Sequence, residues 1–228
     1  MKAYICLVVL VCLGSVFAAE TNKADEVAVK QYPGSPCDPL SPSPYQCIEG
    51  TFCLEVSPKV GICVVTRKRM ANVEASPVTL VDFANPQTEQ SSTLTFNGVD
   101  YVSGNAVDGN FNSDLINGET CAHTETEGHP WWRLNLLESR CIAQVGIVNR
   151  RDGSYVRLAG AEVLVGGIHR HERCGSPVSA ESANIPGGMN LVICDPPIRG
   201  DEIVIHIPKD EATLQICEVL LWEVSTCG

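Results

Sequence analysis

The sequence predicts an all-β protein, an antiparallel β-sandwich of about 150 residues preceded by a small disulfide-rich module. Short apolar or alternating runs recur between glycine, proline and aspartate residues over positions 77–228, as strands do between turns. Patterns with helical periodicity are scarce. Four cysteines lie within positions 37–63, a stretch too short to form a stable core without cross-links.

Residues 1–18 have the composition of a secretory signal peptide. Lys2 precedes an apolar run from Ala3 to Leu13, and Val16-Phe17-Ala18 supplies small residues at a cleavage position. The run is too short to cross a bilayer. No second run of spanning length follows it, so we expect a secreted, extracellular protein without a membrane span.

The charge balance argues against nucleic acid as a partner. The 228 residues carry a net charge of −11, and loss of residues 1–18 with Lys2 would leave 210 residues with a net charge of −12. Such an acidic surface repels the phosphate backbone. An excess of acid in a secreted protein suits solubility and the binding of cations.

Ten cysteines follow the signal peptide, an even number that indicates a disulfide set in an exported chain. The sequence contains no CxxC pair, so a zinc ribbon is not predicted. After a flexible lead-in over residues 19–32, residues 33–66 form the Cys-rich module. Three pairings of its cysteines are possible. We expect Cys37–Cys53 and Cys47–Cys63, by similarity to small secreted modules with interleaved pairs.

Residues 67–76 are predicted to be a linker, with Arg67-Lys68-Arg69 as its marked feature. The basic run is either a solvated turn or a proprotein cleavage site. Thr66, which stands where a further arginine would strengthen a cleavage site, favours the turn.

Residues 77–228 have the size of one domain, and seven or eight strands are predicted in it. A short helix is predicted at Leu80–Phe83, before Ala84-Asn85-Pro86. The runs that predict strands are residues 78–81, 133–136, 142–148, 161–165, 190–193, 202–207 and 218–224.

One segment is a candidate calcium loop. Asn105, Asp108 and Asn110 place three oxygen-bearing side chains around Gly109, and calcium takes six to eight oxygen ligands. The same residue types form turns by hydrogen-bonding their own backbone, without a metal. The spacing leaves both interpretations open.

A second cluster comprises His123, Arg150, Asp152 and Arg157. In a loop at one end of the sandwich, the Asp152 carboxylate could orient both guanidinium groups and leave each with free donors. Those donors and an imidazole nitrogen suit adjacent sugar hydroxyls. The alternative is a surface salt-bridge cluster, which contributes little to stability.

These residues resemble the sugar motif of the F-type lectins, the fucolectin family. That motif is a histidine, 26 residues, Arg-x-Asp, four residues, and arginine or lysine. Here 26 residues separate His123 from Arg150, Arg150-Arg151-Asp152 supplies Arg-x-Asp, and Arg157 follows four spacers. The resemblance covers residues 77–228 and not residues 19–76. It also includes Pro130-Trp131-Trp132-Arg133 and Cys217-Glu218-Val219.

The resemblance implies an eight-stranded jelly-roll sandwich with a structural calcium ion. It pairs Cys121 with Cys217 and Cys174 with Cys194. We pair the remaining Cys141 with Cys227 by elimination. The calcium ligands carried over by position are Asn105, Asp108, Asn110, Thr120, Cys217 through its carbonyl, and Glu218.

By resemblance, His123, Arg150 and Arg157 would donate hydrogen bonds to the ring oxygen and hydroxyls of α-L-fucose, and Asp152 would hold the arginines. Several family members have two adjacent cysteines after Asp152, whose disulfide packs on the sugar. Gly153 and Ser154 stand there instead. Leu115, Ile116 and Tyr155 are the candidates to receive the methyl group of fucose.

Several other residues could have a functional role, and for each we also consider a purely structural one. Trp131 and Trp132 could stack on sugars, but core positions are favoured. His169, His171 and Cys174 could bind zinc, although Cys174 has a disulfide partner in the resemblance. Arg199-Gly200-Asp201 spells an integrin-type tripeptide, and we expect a polar turn there. No paired carboxylates or Gly-x-Ser-x-Gly elbow indicate an enzyme.

The sequence therefore predicts a calcium-supported lectin that binds terminal L-fucose on fucosylated glycans, in recognition or innate defence. Single sugar sites are weak, so we expect a homo-oligomer that clusters them. The alternative is a secreted interaction protein that keeps the lectin fold as a scaffold without binding sugar.

Overall fold

The computed structural model describes residues 36–37, 51–57 and 60–65 as backbone, and residues 78–82, 85–167 and 170–227 in full. The first group forms a three-stranded antiparallel sheet in the order β1-β3-β2. Its strands are β1 (Pro36–Cys37), β2 (Thr51–Ser57) and β3 (Val60–Val65).

In this small sheet Cys53 lies opposite Cys63, and Cys37 lies opposite Gly61. The cysteine side chains, and Cys47 altogether, lie outside the described residues. The pairings Cys37–Cys53 and Cys47–Cys63 therefore stay predictions, as does the role of Arg67-Lys68-Arg69.

The following residues are mostly β-structure, which confirms the predicted fold class. Two 3₁₀ helices, at Ser103–Val107 and Tyr155–Leu158, and two single-turn helices, α1 (Leu115–Gly118) and α2 (Ala180–Ala183), connect the strands. The strands are β4 (Thr79–Leu80), β5 (Gln87–Gln90), β6 (Thr95–Phe96), β7 (Val99–Asp100), β8 (Ala122–His123), β9 (Trp131–Val148), β10 (Glu162–Gly167), β11 (Arg170–Cys174), β12 (Met189–His206), β13 (Gln215–Ile216) and β14 (Glu218–Glu223).

The helix predicted at Leu80–Phe83 is wrong. Leu80 lies in β4 opposite Trp222, and the Val81 amide donates to the Leu221 carbonyl at 2.9 Å. Pairing with β14 buries Val81 in the core. This tertiary contact outweighs the local preference of so short a segment.

Two 18-residue strands, β9 and β12, organise the sandwich. The first part of β9 pairs with the last part of β12 and with β5, whereas the rest of β9 pairs with the first part of β12 and with β14. Register shifts after Ile193 and after Gly200 separate the two parts, and bulges of this kind bend strands. The strands predicted separately at 133–136 and 142–148 are therefore one bent strand.

The main core lies between these two parts. Alternate residues of the strands point inward, as the period of a strand requires. Fully buried examples are Trp132, Leu134, Ile147, Val163, Val165, Ile203, Ile205, Val219 and Leu221.

The two adjacent tryptophans have different environments because successive strand residues face opposite ways. Trp132 is 1% exposed, which confirms its core assignment. Trp131 is half-buried on the outer face, with the Arg133 guanidinium carbon 5.4 Å from its ring centroid. The core assignment of Trp131 is therefore wrong.

Three disulfides join distant parts of the domain, namely Cys121–Cys217, Cys141–Cys227 and Cys174–Cys194. They are the three pairs expected for it. Because Cys174 is oxidised, it has no thiolate for zinc, and His171 bonds Glu202 at 2.8 Å instead. His169 lies outside the described residues.

Arg199-Gly200-Asp201 lies within β12 and not in the turn that we expected. Gly200 is buried and lies opposite Arg140 of β9. Strand pairing thus fixes the centre of this tripeptide. In the part of the chain with described coordinates, no helix is long and apolar enough to cross a membrane.

Candidate sugar-binding site

The site residues predicted from the motif meet at one end of the domain. His123 in β8 lies opposite Gln215 in β13. Arg150 and Asp152 follow the end of β9, and Arg157 lies in the second 3₁₀ helix. Residues far apart in the sequence thus converge, because Gln215 pairs with His123 and accepts a hydrogen bond from Arg150.

Arg150 and Asp152 form a bidentate ion pair. Arg150 Nε donates to Asp152 Oδ1 and Nη2 to Oδ2, both at 2.9 Å. Nη1 donates to Gln215 Oε1 at 3.1 Å. A guanidinium has five N–H donors, so these three bonds leave two. Arg150 is 7% exposed, so the guanidinium is held rigidly.

The Asp152 carboxylate also accepts from the Ile116 amide at 3.0 Å. Partial burial favours the neutral acid and raises its pKa. The hydrogen bonds from Arg150 and from Ile116 outweigh burial and hold the pKa of Asp152 below its ordinary value. Asp152 is therefore an anion that orients Arg150 at neutral pH.

Asp152 was expected to hold both arginines, but it forms no hydrogen bond with Arg157. The side chain of Arg157 is exposed, and no hydrogen bond or ion pair of its guanidinium is found among the described residues. Both Asp152 oxygens are already engaged by Arg150. Arg157 therefore offers its whole fork of donors at the edge of the site.

His123 is 5% exposed, and its Nδ1 lies 2.7 Å from the Thr124 carbonyl oxygen. A carbonyl only accepts, so Nδ1 carries the proton. Burial, then the positive charges of Arg150 and Arg157, lower the pKa of His123 against the opposing Thr124 bond. The neutral ring leaves Nε2 as an acceptor. His123 is therefore set to accept a hydrogen bond at Nε2, whereas the resemblance implies a donor.

Exposed apolar side chains lie next to these polar groups. Ile116 is 52% exposed while its own amide contacts Asp152, and Val156, beside Arg157, is also 52% exposed. Leu115 is 4% exposed in the core and is not available to a ligand. Tyr155 is half-buried.

Gly153 and Ser154 leave open space at the rim of the site. Their φ angles are 129° and 55°, in the region that favours glycine. A Cβ on Gly153 would meet no atom within 4 Å. No disulfide forms an apolar wall at this position. Ile116 and Val156 are the exposed apolar side chains next to the site.

The candidate calcium site centres on Glu218. Glu218 is 3% exposed, and its Oε2 has no hydrogen-bond partner. Burial first, and then the nearby charge of Asp108, raise its pKa to about 8, although the Gly109 amide donates to it. A buried carboxyl with an unpaired oxygen beside a second acid needs a proton or a bound cation to neutralise it. These residues therefore fit a cation.

The other predicted ligands lie in the loop before β8. The side-chain nitrogen Nδ2 of Asn105 donates to the carbonyls of Glu119 at 3.1 Å and Cys121 at 3.2 Å. Its Oδ1 is therefore left for a cation. Asp108 Oδ1 accepts from the Asn110 amide at 2.8 Å. This Asx turn is the metal-free arrangement that the sequence left open, and it coexists with the unpaired Glu218 oxygen.

The remaining ligands provide weaker support. Asn110 Oδ1 accepts from the Asn112 amide at 3.1 Å, and the Thr120 hydroxyl donates to the Asn112 carbonyl. Cys217 is in a disulfide, so only its carbonyl could bind a metal. The described residues hold no cluster of three His, Cys, Asp or Glu side chains. Calcium, which accepts amide and carbonyl oxygens, is the cation that suits two carboxylates among such groups.

Comparison with known proteins shows which proteins this sequence is similar to. Residues 105–203 match the model of NedA-like galactose-binding domains of the F5/F8 type C group. The chain is 35% identical to Fucolectin-1 of Anguilla japonica over 119 residues, which are 52% of the chain and 66% of Fucolectin-1. It is 33% identical to Fucolectin of Anguilla anguilla over 116 residues, which are 50% of the chain and 72% of that relative.

Solved structures agree with the fold. The F-lectin from Morone saxatilis serum has 28% identity and a TM-score of 0.53, over 60% of this chain and 46% of that one. A histidine mutant of the lectin binding domain of Lectinolysin, solved with Lewis b, has 22% identity and a TM-score of 0.54, over 65% of this chain and 100% of that one, and it supports the fold alone. On the shared sequence, fold and motif, the chain belongs to the F-type lectin, or fucolectin, family.

Proposed function

We propose that this protein is a secreted, calcium-supported lectin that binds terminal α-L-fucose on glycans. The observation that carries the proposal is the rigid Arg150–Asp152 pair between an exposed Arg157 and a neutral His123. Two free N–H groups of Arg150, the fork of Arg157 and the acceptor of His123 suit neighbouring hydroxyls and a ring oxygen. Ile116 and Val156 would contact the apolar edge of the sugar.

The division of labour among these groups follows from their chemistry. Each hydroxyl of a sugar both donates and accepts, so one hydroxyl can donate to His123 Nε2 while it accepts from an arginine. Charge-assisted bonds of this kind are the stronger ones. An axial hydroxyl beside the ring oxygen, as in fucose, presents its acceptors to both arginines at once.

Calcium is proposed as a support, bound by Glu218 and Asp108 with Asn105, Asn110, Thr120 and the Cys217 carbonyl. When bound, it would neutralise two carboxylates and link the loop at 105–110 to β14. Gln215 lies two residues before Cys217 and one before the end of β13. The calcium ligands are therefore continuous in the chain with a strand that contacts Arg150.

The proposal is supported by the names of relatives, namely Fucolectin-1, Fucolectin and an F-lectin. Because the chain covers about two thirds of Fucolectin-1, its whole activity and partners are part of the proposal. Its role in recognition or innate defence and its clustering as a homo-oligomer are proposals. The domain boundaries 33–66, 67–76 and 77–228 are proposals as well.

A glycan array on the full chain tests the proposal. With calcium present, signals should concentrate on glycans with terminal L-fucose. An array without preference for fucose would remove the proposed ligand.

A second function is favoured by the open rim at Gly153 and Ser154, where the sugar-packing disulfide is missing. In that case the lectin fold would be a scaffold, and the protein would bind another protein through its Cys-rich module. Retention on fucose-agarose separates the two functions. Elution by free fucose supports the lectin, and passage in the flow-through at low salt supports the scaffold.

A further inference from the structure

Gln215 is a polar residue that no motif marks. It is 0% exposed in β13, opposite His123 of β8. Its Oε1 accepts from Arg150 Nη1 at 3.1 Å, and its Nε2 donates to the Ser154 carbonyl at 2.6 Å. Because a guanidinium only donates and a carbonyl only accepts, these partners fix the orientation of the amide.

The Ser154 carbonyl connects this amide to the second arginine. The same oxygen accepts from the Arg157 amide at 3.1 Å and so begins the 3₁₀ helix that carries Arg157. One side chain therefore contacts the guanidinium of Arg150 and the turn of Arg157. Its backbone pairs with the strand of His123.

Few side chains hold this turn at its rim, and the other one is Asn149, whose Nδ2 donates to the Tyr155 carbonyl at 2.9 Å. Gly153 and Ser154 both have positive φ angles, of 129° and 55°. For serine this conformation costs energy unless the surroundings stabilise it. Around Gly153 a Cβ would meet no atom within 4 Å. The bond from Gln215 Nε2 is thus the side-chain contact that holds the Ser154 carbonyl, next to the open space at Gly153.

We propose that Gln215 is a positioning residue that sets the spacing between the guanidinium groups of Arg150 and Arg157. Being fully buried, it acts through those groups and not by touching the ligand. The inference rests on the proposed function, because the spacing matters only if both arginines bind one sugar.

Two variants test the inference. Gln215→Met keeps the length of the side chain and removes both bonds. Gln215→Glu keeps an acceptor for Arg150 and removes the donor to Ser154. Affinity for methyl α-L-fucoside should fall about 10- to 100-fold in Gln215→Met, the effect of losing a buried bond to a charged group. Gln144→Met, at a half-buried glutamine of β9, is the matched control and should bind as the wild type does.

A double-mutant cycle separates positioning from general damage to the fold. If Gln215 acts through the turn of Arg157, its replacement should cost at least about 3-fold less affinity in an Arg157→Ala background than in the wild type. Equal losses in both backgrounds, or wild-type affinity in Gln215→Met, would overturn the inference.

A measurement without sugar keeps the inference separate from the proposed function. Hydrogen exchange at the Arg157 amide should be at least about 10-fold faster in Gln215→Met and in Gln215→Glu, and unchanged in Gln144→Met. Unchanged exchange in both Gln215 variants would contradict the positioning role. Failure of the wild type to bind the fucoside would instead overturn the lectin, whatever the exchange shows.

Discussion

At the scale of single residues, the site depends on protonation states that its environment sets. Hydrogen bonds keep Asp152 ionised despite its partial burial, and burial keeps His123 neutral. The three charged or polar groups therefore have fixed roles near neutral pH. In the proposed complex, Asp152 would orient Arg150, Arg150 would donate to the sugar, and His123 would accept from it.

The pH dependence of binding follows from His123. Burial holds its pKa below the ordinary value, so the ring is neutral near pH 7. As pH falls through that lowered pKa, protonation removes the Nε2 acceptor. We expect fucoside affinity, measured by titration calorimetry, to be constant near pH 7 and to fall at acidic pH below 6.5.

Folding stability should change in the same direction. Between the unfolded and the lowered folded pKa of His123 the unfolded state binds more protons, so stability falls as pH decreases. Affinity that increases on acidification would contradict the neutral acceptor role. Thermal unfolding at each pH shows whether the protein under titration is still folded.

Asp152→Asn tests the orienting carboxylate. Asparagine keeps the size of the side chain but loses the charge and one acceptor for the Arg150 fork. We expect fucoside affinity to fall about 10-fold or more, since charge-assisted pairs are stronger than neutral ones. Asp100→Asn, at an exposed aspartate in β7, serves as the control, and equal affinities in the two variants would exclude the orienting role.

At the scale of elements, the sequence predicts strands with strong apolar patterns and misses those without one. The runs at 161–165, 202–207 and 218–224 lie in β10, β12 and β14. By contrast, β5 reads Gln-Thr-Glu-Gln and becomes a strand only by pairing with β9. Residues 137–141 contain no glycine or proline, and the chain passes through a bend at Leu137, with a φ of 64°, without leaving the ladder with β12 for long, so two predicted strands form one.

The same limit applies to the site. The motif spacing brings His123, Arg150, Asp152 and Arg157 together at one end of the domain. It does not reveal Gln215, because its partners are set by the pairing of β13 with β8. The available signal was one amide inside the apolar stretch Leu214–Cys217. Nor does spacing show that Asp152 bonds only one of the two arginines, Arg150.

The apolar wall belongs to α1, whose first turn presents Ile116 beside Asp152. Ile116→Ala should reduce fucoside affinity about 3- to 10-fold, since it removes apolar surface that the sugar would cover. Leu137→Ala, at an exposed leucine in the bend of β9, should leave affinity unchanged. An Ile116→Ala variant with wild-type affinity would show that the methyl group of fucose packs elsewhere.

At the scale of the whole molecule, the candidate sugar site and the candidate calcium site are connected through β8 and β13. Cys121–Cys217 fixes the chain between the candidate calcium ligands and β8, and it packs in a second core with Tyr101 and Trp222. Changes at the cation site are therefore expected to reach the sugar site through β8 and β13.

Calcium removal tests this connection. Saturating calcium should raise the unfolding midpoint by about 5–10 °C, as expected for a ligand at about 100 times its Kd. Because the pKa of Glu218 is about 8 without a cation, calcium must displace a proton at lower pH. The increment should therefore be larger at pH 8 than at pH 6.

Glu218→Gln is the matching variant. It removes the buried charge, so the calcium increment should vanish while the calcium-free protein remains folded. A full increment in Glu218→Gln would place the cation elsewhere, and the absence of any increment in the wild type would remove calcium from the proposal.

Calorimetric titration of methyl α-L-fucoside into two matched variants shows whether the Arg150–Asp152 pair binds fucose. Arg150→Lys keeps a cation beside Asp152 but removes the planar fork, and Arg151→Lys makes the same change at an exposed neighbour. We predict that affinity falls at least about 100-fold in Arg150→Lys and stays at the wild-type value in Arg151→Lys, with both variants folded. Wild-type affinity in a folded Arg150→Lys variant would contradict the account.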